Sequence, residues 1–185
     1  MLPVIETQRL VLRPPKLGDE KQLNQAINRS LAELKRWMPW ASDPSMAPTI
    51  RFVKSAIASW ASEKPTDFPL VVIHKESQMI IGGSGFNDRS KPEVPMFEIG
   101  YWLATEFTGQ GLATEMVKAL TRFAFEKFHA ARVQIITQVG NEASRRVAEK
   151  SGFILEATLK NYCVDCWSGK PADDLVFVQF NDNEL

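Results

Sequence analysis

Cysteine is scarce in this sequence, and long apolar runs are absent. Two cysteines among 185 residues argue against a scaffold held together by disulfide bonds. No apolar run is long enough to span a bilayer. The first ten residues, MLPVIETQRL, include Glu6 and Arg9 and lack the apolar segment of a secretory signal. Together these absences predict a soluble protein of the cytoplasm with no membrane partner.

An excess of charge of either sign is also missing. The chain has 22 Lys and Arg residues and 22 Asp and Glu residues, so its formal net charge is zero. No overall attraction therefore favours nucleic acid or an anionic membrane as a partner. The hydrophobic share of 44% and the charged share of 24% are ordinary for a globular protein. A chain of this length is expected to form one domain, residues 1–185, around one core.

The most informative stretch is Met96 to Leu120, MFEIGYWLATEFTGQGLATEMVKAL. Its first part, Met96–Leu103, is rich in aromatic and β-branched residues and predicts a buried strand. Gly109 and Gly111 come just before a helical pattern that begins at Leu112. A glycine turn that leads into a helix leaves backbone N–H groups unpaired at the positive end of the helix dipole. The stretch therefore predicts a site for a phosphate or a diphosphate.

The residues around this turn separate the known kinds of phosphate site. A P-loop closes with Lys followed by Ser or Thr, whereas Gly111 is followed by Leu112 and Ala113. A Rossmann turn needs a third glycine, where this chain has Thr114, and an acidic residue about 20 positions further on. The next predicted strand, Val133–Thr137, ends without an acid. The remaining interpretation is a cradle of backbone amides, and the alternative is that the glycines only permit a tight turn.

Apolar periodicity predicts strands and helices along the rest of the chain. The predicted strands are Thr7–Arg13, Pro69–His74, Met79–Phe86, Met96–Leu103, Ala131–Val139, Phe153–Trp167 and Leu175–Phe180. The predicted helices are Asp19–Leu34, Ile50–Ser62, Leu112 to about Phe128, and a short helix between the cap Asn141 and Gly152. The order strand, helix, strand around the central helix predicts parallel pairing of its two strands. The run Gly82–Gly85 predicts a bulge or a close backbone approach rather than a second phosphate loop.

Three motifs resemble those of one family, the GNAT N-acetyltransferases. FTGQGLATEMVKAL after EIGYWL resembles their acetyl-CoA-binding motif, Gln/Arg-x-x-Gly-x-Gly/Ala, with Gly111 and Ala113 in the matching positions. Thr108 departs from the pattern, because it replaces the Gln or Arg. NEASRRVAEKSGF resembles the second signature of the family, and TxRLxLRP followed by Asp19 resembles the opening strand of its ribosomal-protein N-terminal branch. The resemblance covers nearly the whole chain.

The resemblance implies a fold and a co-substrate. The fold would be a single-domain α/β GNAT fold, with a central mixed, twisted sheet of about seven strands and helices on both faces. Its two parallel strands would splay apart to hold acetyl-CoA, with no metal. The residues implied in binding it are Tyr101, Trp102 and Leu103 beside the acetyl-pantetheine, Gly109, Gln110, Gly111, Leu112, Ala113 and Thr114 around the pyrophosphate, and Asn141 beside the pantetheine. For Asn141, a role as a helix cap alone remains an alternative.

Acetyl transfer to an amine needs a neutral amine, a donor for the oxyanion and a proton for the departing thiolate. Glu98 is the candidate for taking the proton through water, unless it is only a polar residue of the strand. In many GNAT proteins a tyrosine acts as the general acid for the departing thiolate, at the position where this chain has Ala148. Ser144 is the substitute that we predict, with Tyr162 in reserve. A helix-surface serine without a catalytic role is the alternative.

The predicted function is transfer of acetyl from acetyl-CoA to a primary amine, by direct attack in a ternary complex. The resembled branch implies that the acceptor is the N-terminal amine of a ribosomal protein, and that Trp37 and Trp40 form part of the acceptor wall or else fill the core. A small amine (a polyamine, an aminoglycoside or an amino acid) is an alternative acceptor. A non-catalytic acyl-CoA-binding module is a further alternative. The sequence leaves open whether the protein is a monomer or a homodimer.

Overall fold

One mixed β-sheet forms the centre of the molecule. The computed structural model describes residues 2–63, 65 and 67–181, and the predicted single domain, 1–185, extends a few residues outside them. The strands of the described part are β1 (Ile5–Glu6), β2 (Leu10–Arg13), β3 (Phe68–His74), β4 (Met79–Phe86), β5 (Met96–Leu103), β6 (Arg132–Gln138), β7 (Ile154–Val164) and β8 (Pro171–Phe180). The α-helices are α1 (Glu20–Arg29), α2 (Leu31–Trp37), α3 (Met46–Ala61), α4 (Leu112–Lys127) and α5 (Glu142–Lys150).

The two central strands separate along their length. The strand order is β1-β2-β3-β4-β5-β6-β8-β7, and β5 and β6 pair in parallel while the other neighbours are antiparallel. The parallel register includes Met96 with Arg132 and stops at Glu98 with Gln134. Beyond that point β5 continues to Leu103 and β6 to Gln138 without pairing to each other. The predicted splay between parallel strands is therefore confirmed.

Helices cover both faces of the sheet, as predicted. On one face, α4 packs Met116 and Leu120 against alternate strand residues such as Leu12, Val72 and Ile99. The apolar residues between them point to the opposite face, where α1, α2 and α3 pack. That second core consists of Leu23, Ile27, Leu34, Ala41, Val53, Val71 and Ile80. The alternation places Tyr101 on the α4 face and Trp102 on the α1–α3 face.

Several boundaries differ from the sequence prediction. An additional two-residue strand, β1, brings the sheet to eight strands, and a turn from Thr7 to Leu10 delays the start of β2. The predicted helix Asp19–Leu34 is divided at Ser30, whose hydroxyl accepts a hydrogen bond from the backbone of Thr105 at 2.9 Å. Helix α3 begins earlier than predicted and includes Pro48 in its first turn, where a proline is tolerated because no intrahelical donor is lost.

The glycines of β4 allow the neighbouring strands to approach, as predicted. A Cβ atom on Gly82 would lie 2.2 Å from the carbonyl oxygen of Trp102. A Cβ atom on Gly83 would lie 2.8 Å from Nε1 of the Trp102 indole ring. Side chains at these positions would overlap β5 or displace the Trp102 ring. The glycine run therefore positions Trp102 on the sheet surface beside the splay.

Candidate active site

The turn before α4 carries unused backbone donors. Gly109 and Gly111 have φ of 74° and 79°, the left-handed conformation that glycine adopts without strain. Across the described residues, no hydrogen bond uses the N–H groups of residues 109–114. A Cβ atom on Gly109 would find no atom within 4 Å, so the turn is open. These donors and the positive end of the α4 dipole suit a diphosphate.

The residues predicted to form this cradle differ in their surroundings. Gln110 folds its side chain back onto the carbonyl of Glu106 at 3.0 Å, which leaves its main chain to line the turn. Leu112 is buried in the core, and Ala113 packs partly against it. Thr114 is half-buried. Their cofactor contacts stay predictions, with the backbone rather than the side chains available for binding.

Arg9 is a residue of this site that sequence reasoning did not identify. Its Nη1 donates to the carbonyl of Gln110 at 2.9 Å, and its Nε donates to Oε2 of Glu115 at 2.7 Å. The hydroxyl of Thr7 donates to the other carboxylate oxygen of Glu115 at 2.6 Å. Burial would raise the pKa of Glu115, but the hydrogen bonds from Thr7 and Arg9 lower it below its usual value. Arg9 thus ties the glycine turn to the first turn of α4.

We expect Arg9→Ala to weaken CoA binding about tenfold, the equivalent of about 1.4 kcal/mol, because the Gln110 carbonyl loses its anchor and the turn loses a nearby cation. Isothermal titration with CoA measures the change. Arg9→Lys is the control that retains the charge but not the forked geometry. An affinity unchanged in Arg9→Ala would mean that the turn keeps its shape without this contact.

Tyr101 and Ser144 meet on the α4 face of the splay. Their hydroxyl oxygens lie 2.9 Å apart, and the tyrosine hydroxyl also lies 3.3 Å from the carbonyl of Ser144. Burial raises the pKa of Tyr101 to about 12, against the opposing effect of the Ser144 hydrogen bond. Tyr101 therefore stays protonated near neutral pH. The pair forms a chain of hydroxyl groups beside the predicted position of the thioester.

Asn141 caps α5, as the sequence predicts. Its side-chain oxygen accepts a hydrogen bond from the backbone N–H of Ser144 at 3.1 Å. The cap fixes the first turn of α5 and with it the position of the Ser144 hydroxyl. Contact between Asn141 and a pantetheine stays a prediction.

Glu98 is enclosed by polar side chains. It is 1% exposed, and its Oε1 lies 2.6 Å from the Arg89 guanidinium and accepts from Asn87 at 2.8 Å. Its Oε2 accepts from Gln134 at 2.8 Å. Both oxygens are thus occupied at the last paired position of β5 and β6. The carboxylate stabilises the point where the strands separate, and its role as a base stays a prediction.

The two tryptophans of the predicted acceptor wall lie on opposite sides of the splay. Trp40 is 45% exposed, and its ring centroid lies 5.7 Å from that of Trp102. Trp37 is half-buried and reaches the turn after β6, where a Cβ atom on Gly140 would lie 4.0 Å from its Cη2. The corner after α2 therefore bridges the ends of both central strands. Leu103, the third residue predicted beside the pantetheine, packs partly into the α4-face core.

Cys163 and Cys166 have the CxxC spacing of metal and redox sites, but no disulfide bond joins them. Cys163 and Cys166 are both free. Burial, then the hydrogen bond to Asp174, raises the pKa of the Cys163 thiol. Among the described residues, no group of three His, Cys, Asp or Glu side chains is arranged to hold a metal ion. Tyr162, the reserve acid, is 57% exposed and lies on the edge strand β7, which β8 separates from β6.

No helix within the described ranges combines the length and apolarity needed to cross a membrane.

Comparison with known proteins agrees with this geometry. The family described as acetyltransferase (GNAT) domain matches residues 9–154. The Bacillus subtilis protein YdaF, whose name assigns it provisionally to the ribosomal N-acetyltransferases, is 30% identical over 158 residues, covering 83% of this chain and 82% of YdaF. The ribosomal-protein-serine acetyltransferase of Escherichia coli is 37% identical over 91 residues, 49% of this chain and 50% of its own.

A solved structure extends the likeness to the fold. The ribosomal L7/L12 alpha-N-protein acetyltransferase RimL, in complex with coenzyme A, superposes with a TM-score of 0.87 at 24% identity, covering 98% of this chain and 100% of that one. The predicted fold is therefore confirmed, and the predicted acetyltransferase activity is confirmed at the level of the family. The chain belongs to the GNAT acetyltransferase family.

Proposed function

We propose that this protein transfers the acetyl group of acetyl-CoA to the N-terminal α-amine of a protein, with a ribosomal protein as the acceptor. The observation that carries the proposal is the open splay between β5 and β6 beside a turn with unused backbone donors. A diphosphate suits the turn, and an extended arm suits the gap between the strands. The names of the two ribosomal-protein relatives and of the RimL structure favour this class of acceptor.

Binding of acetyl-CoA would use main-chain groups. The N–H groups of residues 109–114 would hold the pyrophosphate, with Arg9 keeping the turn in place. The edge of β5 beyond Glu98 has lost its parallel partner, so its main-chain groups are available to the pantetheine and to the oxyanion. An N–H group preorganised at this edge would stabilise the developing negative charge.

Ser144 is the proposed proton donor for the leaving sulfur. The amine nitrogen attacks the thioester carbonyl carbon in the ternary complex, the C–N bond forms, and the C–S bond then breaks with its electron pair going to sulfur. The hydroxyl of Ser144 passes a proton to the thiolate and regains one from water, while the Tyr101 hydroxyl, 2.9 Å away, is placed to hydrogen-bond to it. Because Tyr101 is protonated, it is able to supply that hydrogen bond.

An α-amine is the acceptor that needs the least help from the protein to lose its proton. Its pKa is ~8, whereas that of a lysine side chain is ~10.4, so a larger fraction of the α-amine is already neutral. The exposed Trp40 and its neighbour Trp102 form an aromatic wall on the face of the sheet that α1, α2 and α3 cover, which we call the acceptor face. The first side chains of a peptide would pack against this wall.

An acceptor panel tests the proposal. Release of free thiol from acetyl-CoA is followed with short peptides that carry a free N-terminal serine, alanine or methionine, and with spermidine, an aminoglycoside and free amino acids. We expect the peptides to be acetylated and the same peptides with a blocked N-terminus to be inert. If a small amine were acetylated and the peptides were not, a small-molecule acceptor would replace the protein acceptor in the proposal. CoA binding without turnover of any acceptor would favour the non-catalytic module.

A further inference from the structure

Asp174 differs from the other buried acids of this protein. Within residues 2–63, 65 and 67–181 three acidic side chains are buried: Asp19 at 5%, Glu98 at 1% and Asp174 at 7% exposure. Asp19 lies 2.7 Å from Arg13, and Glu98 lies 2.6 Å from Arg89. Asp174 forms no ion pair within the described part of the chain.

The surroundings of Asp174 offer it little compensation. Its Oδ1 accepts a hydrogen bond from the thiol of Cys163 at 3.1 Å, and a thiol is a weak donor. The sulfur in turn accepts from Nε2 of Gln138 at 3.1 Å. A buried carboxylate without a cation is unfavourable. Binding of a positively charged group beside Asp174 would therefore be favourable.

The strand order places Asp174 on β8, one strand away from the splay, because β6 lies between β8 and the gap. Trp102 lies four residues beyond Glu98 on β5, and Gln138 lies four residues beyond Gln134 on β6, so both are equally far along their strands from the last parallel pair. Asp174 on β8 is the register partner of Gln138. Asp174 therefore pairs with the part of β6 that has separated from β5, and the acetyl group is predicted to lie beside the corresponding part of β5.

Asp174 also lies on the acceptor face. Its neighbour Leu175 points into the α4-face core, so Asp174 points to the opposite face, which Trp102 shares. Ser144 and Tyr101 approach the splay from the α4 face. In the tetrahedral intermediate the amine nitrogen and the sulfur are separate substituents of the acyl carbon, and the two faces of the sheet supply a carboxylate for the nitrogen and hydroxyl groups for the sulfur.

We propose that Asp174 binds the ammonium group of the acceptor and takes its proton. This inference rests on the proposed acetyltransferase function and adds a residue to it. The carboxylate gains the cation that it lacks, and the ammonium becomes a neutral amine whose lone pair attacks the thioester carbon. The second nitrogen proton leaves through water as the amide forms and replaces the proton that Ser144 gives to sulfur. Asp174 returns its own proton to water after release of the product.

The test compares Asp174→Asn with Asp173→Asn. Asp173 is the adjacent acid, but it is bound to Lys160 at 2.7 Å, which makes it a matched control for charge and position. With a short peptide carrying a free N-terminal serine as acceptor, we expect Asp174→Asn to lower kcat/KM about a hundredfold or more, the usual effect of removing a general base. Asp173→Asn should stay close to wild type, and both variants should bind CoA normally.

Raising the pH separates a proton acceptor from a structural role. Above the ~8 pKa of an α-amine the acceptor is already neutral, so the deficit of Asp174→Asn should shrink. Cys163 is a titratable group that hydrogen-bonds to Asp174. Cys163→Ala is measured alongside, so that ionisation of the thiol does not account for the recovery. A deficit of the same size at every pH, or equal rates for the two Asn variants, would overturn the inference.

Wild-type protein provides an independent measurement should Asp174→Asn fail to fold. With CoA bound, the serine peptide should bind at least about tenfold more tightly than its analogue in which the amino group is replaced by hydrogen, a difference of about 1.4 kcal/mol. Equal binding would overturn the inference. If wild type acetylates neither peptides nor small amines, the proposed function itself fails, which is a different result.

Discussion

Gly111→Val is expected to remove CoA binding, with an affinity loss of about a hundredfold or more, the equivalent of about 2.8 kcal/mol. Gly111 has φ of 79° and is the cap of α4, and a β-branched residue is a severe outlier in this conformation. A Cβ atom there would make only an ordinary van der Waals contact, 3.6 Å from Nη2 of Arg9, so the expected loss comes from the strained backbone. The turn would have to change shape, and its N–H groups would no longer point at one ligand.

Gly169→Val is the matched control for this prediction. Gly169 has φ of 67° in the turn between β7 and β8, and a Cβ atom there would find no atom within 4 Å. Both variants carry the same backbone strain, but the second carries it away from the cradle. Titration calorimetry with CoA and thermal unfolding are measured for both. If Gly111→Val bound CoA as well as Gly169→Val does, a diphosphate site at this turn would be excluded.

Ser144→Ala is expected to reduce turnover about a hundredfold or more, in the range of a lost general acid, while CoA affinity stays near wild type. The serine hydroxyl is the group that faces Tyr101 at 2.9 Å, and its backbone position is held by the cap of Asn141. Because alanine keeps the helix, the change removes the hydroxyl alone. Single-turnover rates of acetyl transfer to a peptide give the chemical step directly.

The two tyrosines of the chain make the companion test. Tyr101→Phe removes the hydrogen bond to Ser144, and we expect about a tenfold loss in the rate of transfer, comparable to one hydrogen bond of ~1.4 kcal/mol. Tyr162→Phe should have no effect, since Tyr162 is exposed on β7. A wild-type rate in both Ser144→Ala and Tyr101→Phe would show that the sulfur takes its proton from another group. A reduced rate in Tyr162→Phe would indicate Tyr162 as the acid instead.

Local patterns were sufficient for the framework of the site. Strands β4 and β5 have the predicted bounds, and α4 begins at the predicted Leu112. These elements were predictable because apolar periodicity and glycine conformation act over a few neighbouring residues. The break of the first helix at Ser30 was not, because it depends on a hydrogen bond to the backbone of Thr105, which lies far along the chain.

By itself, the sequence determined the family, the order of the elements and the glycine turn before α4, since each depends on neighbouring residues. Only the tertiary structure decided which side chains meet there. Arg9, in the turn between β1 and β2, contacts Gln110, and Tyr101 contacts Ser144. Asp174 forms no ion pair among the described residues. Such contacts depend on strand register and on the packing of distant segments, and no pattern confined to neighbouring residues contains that information.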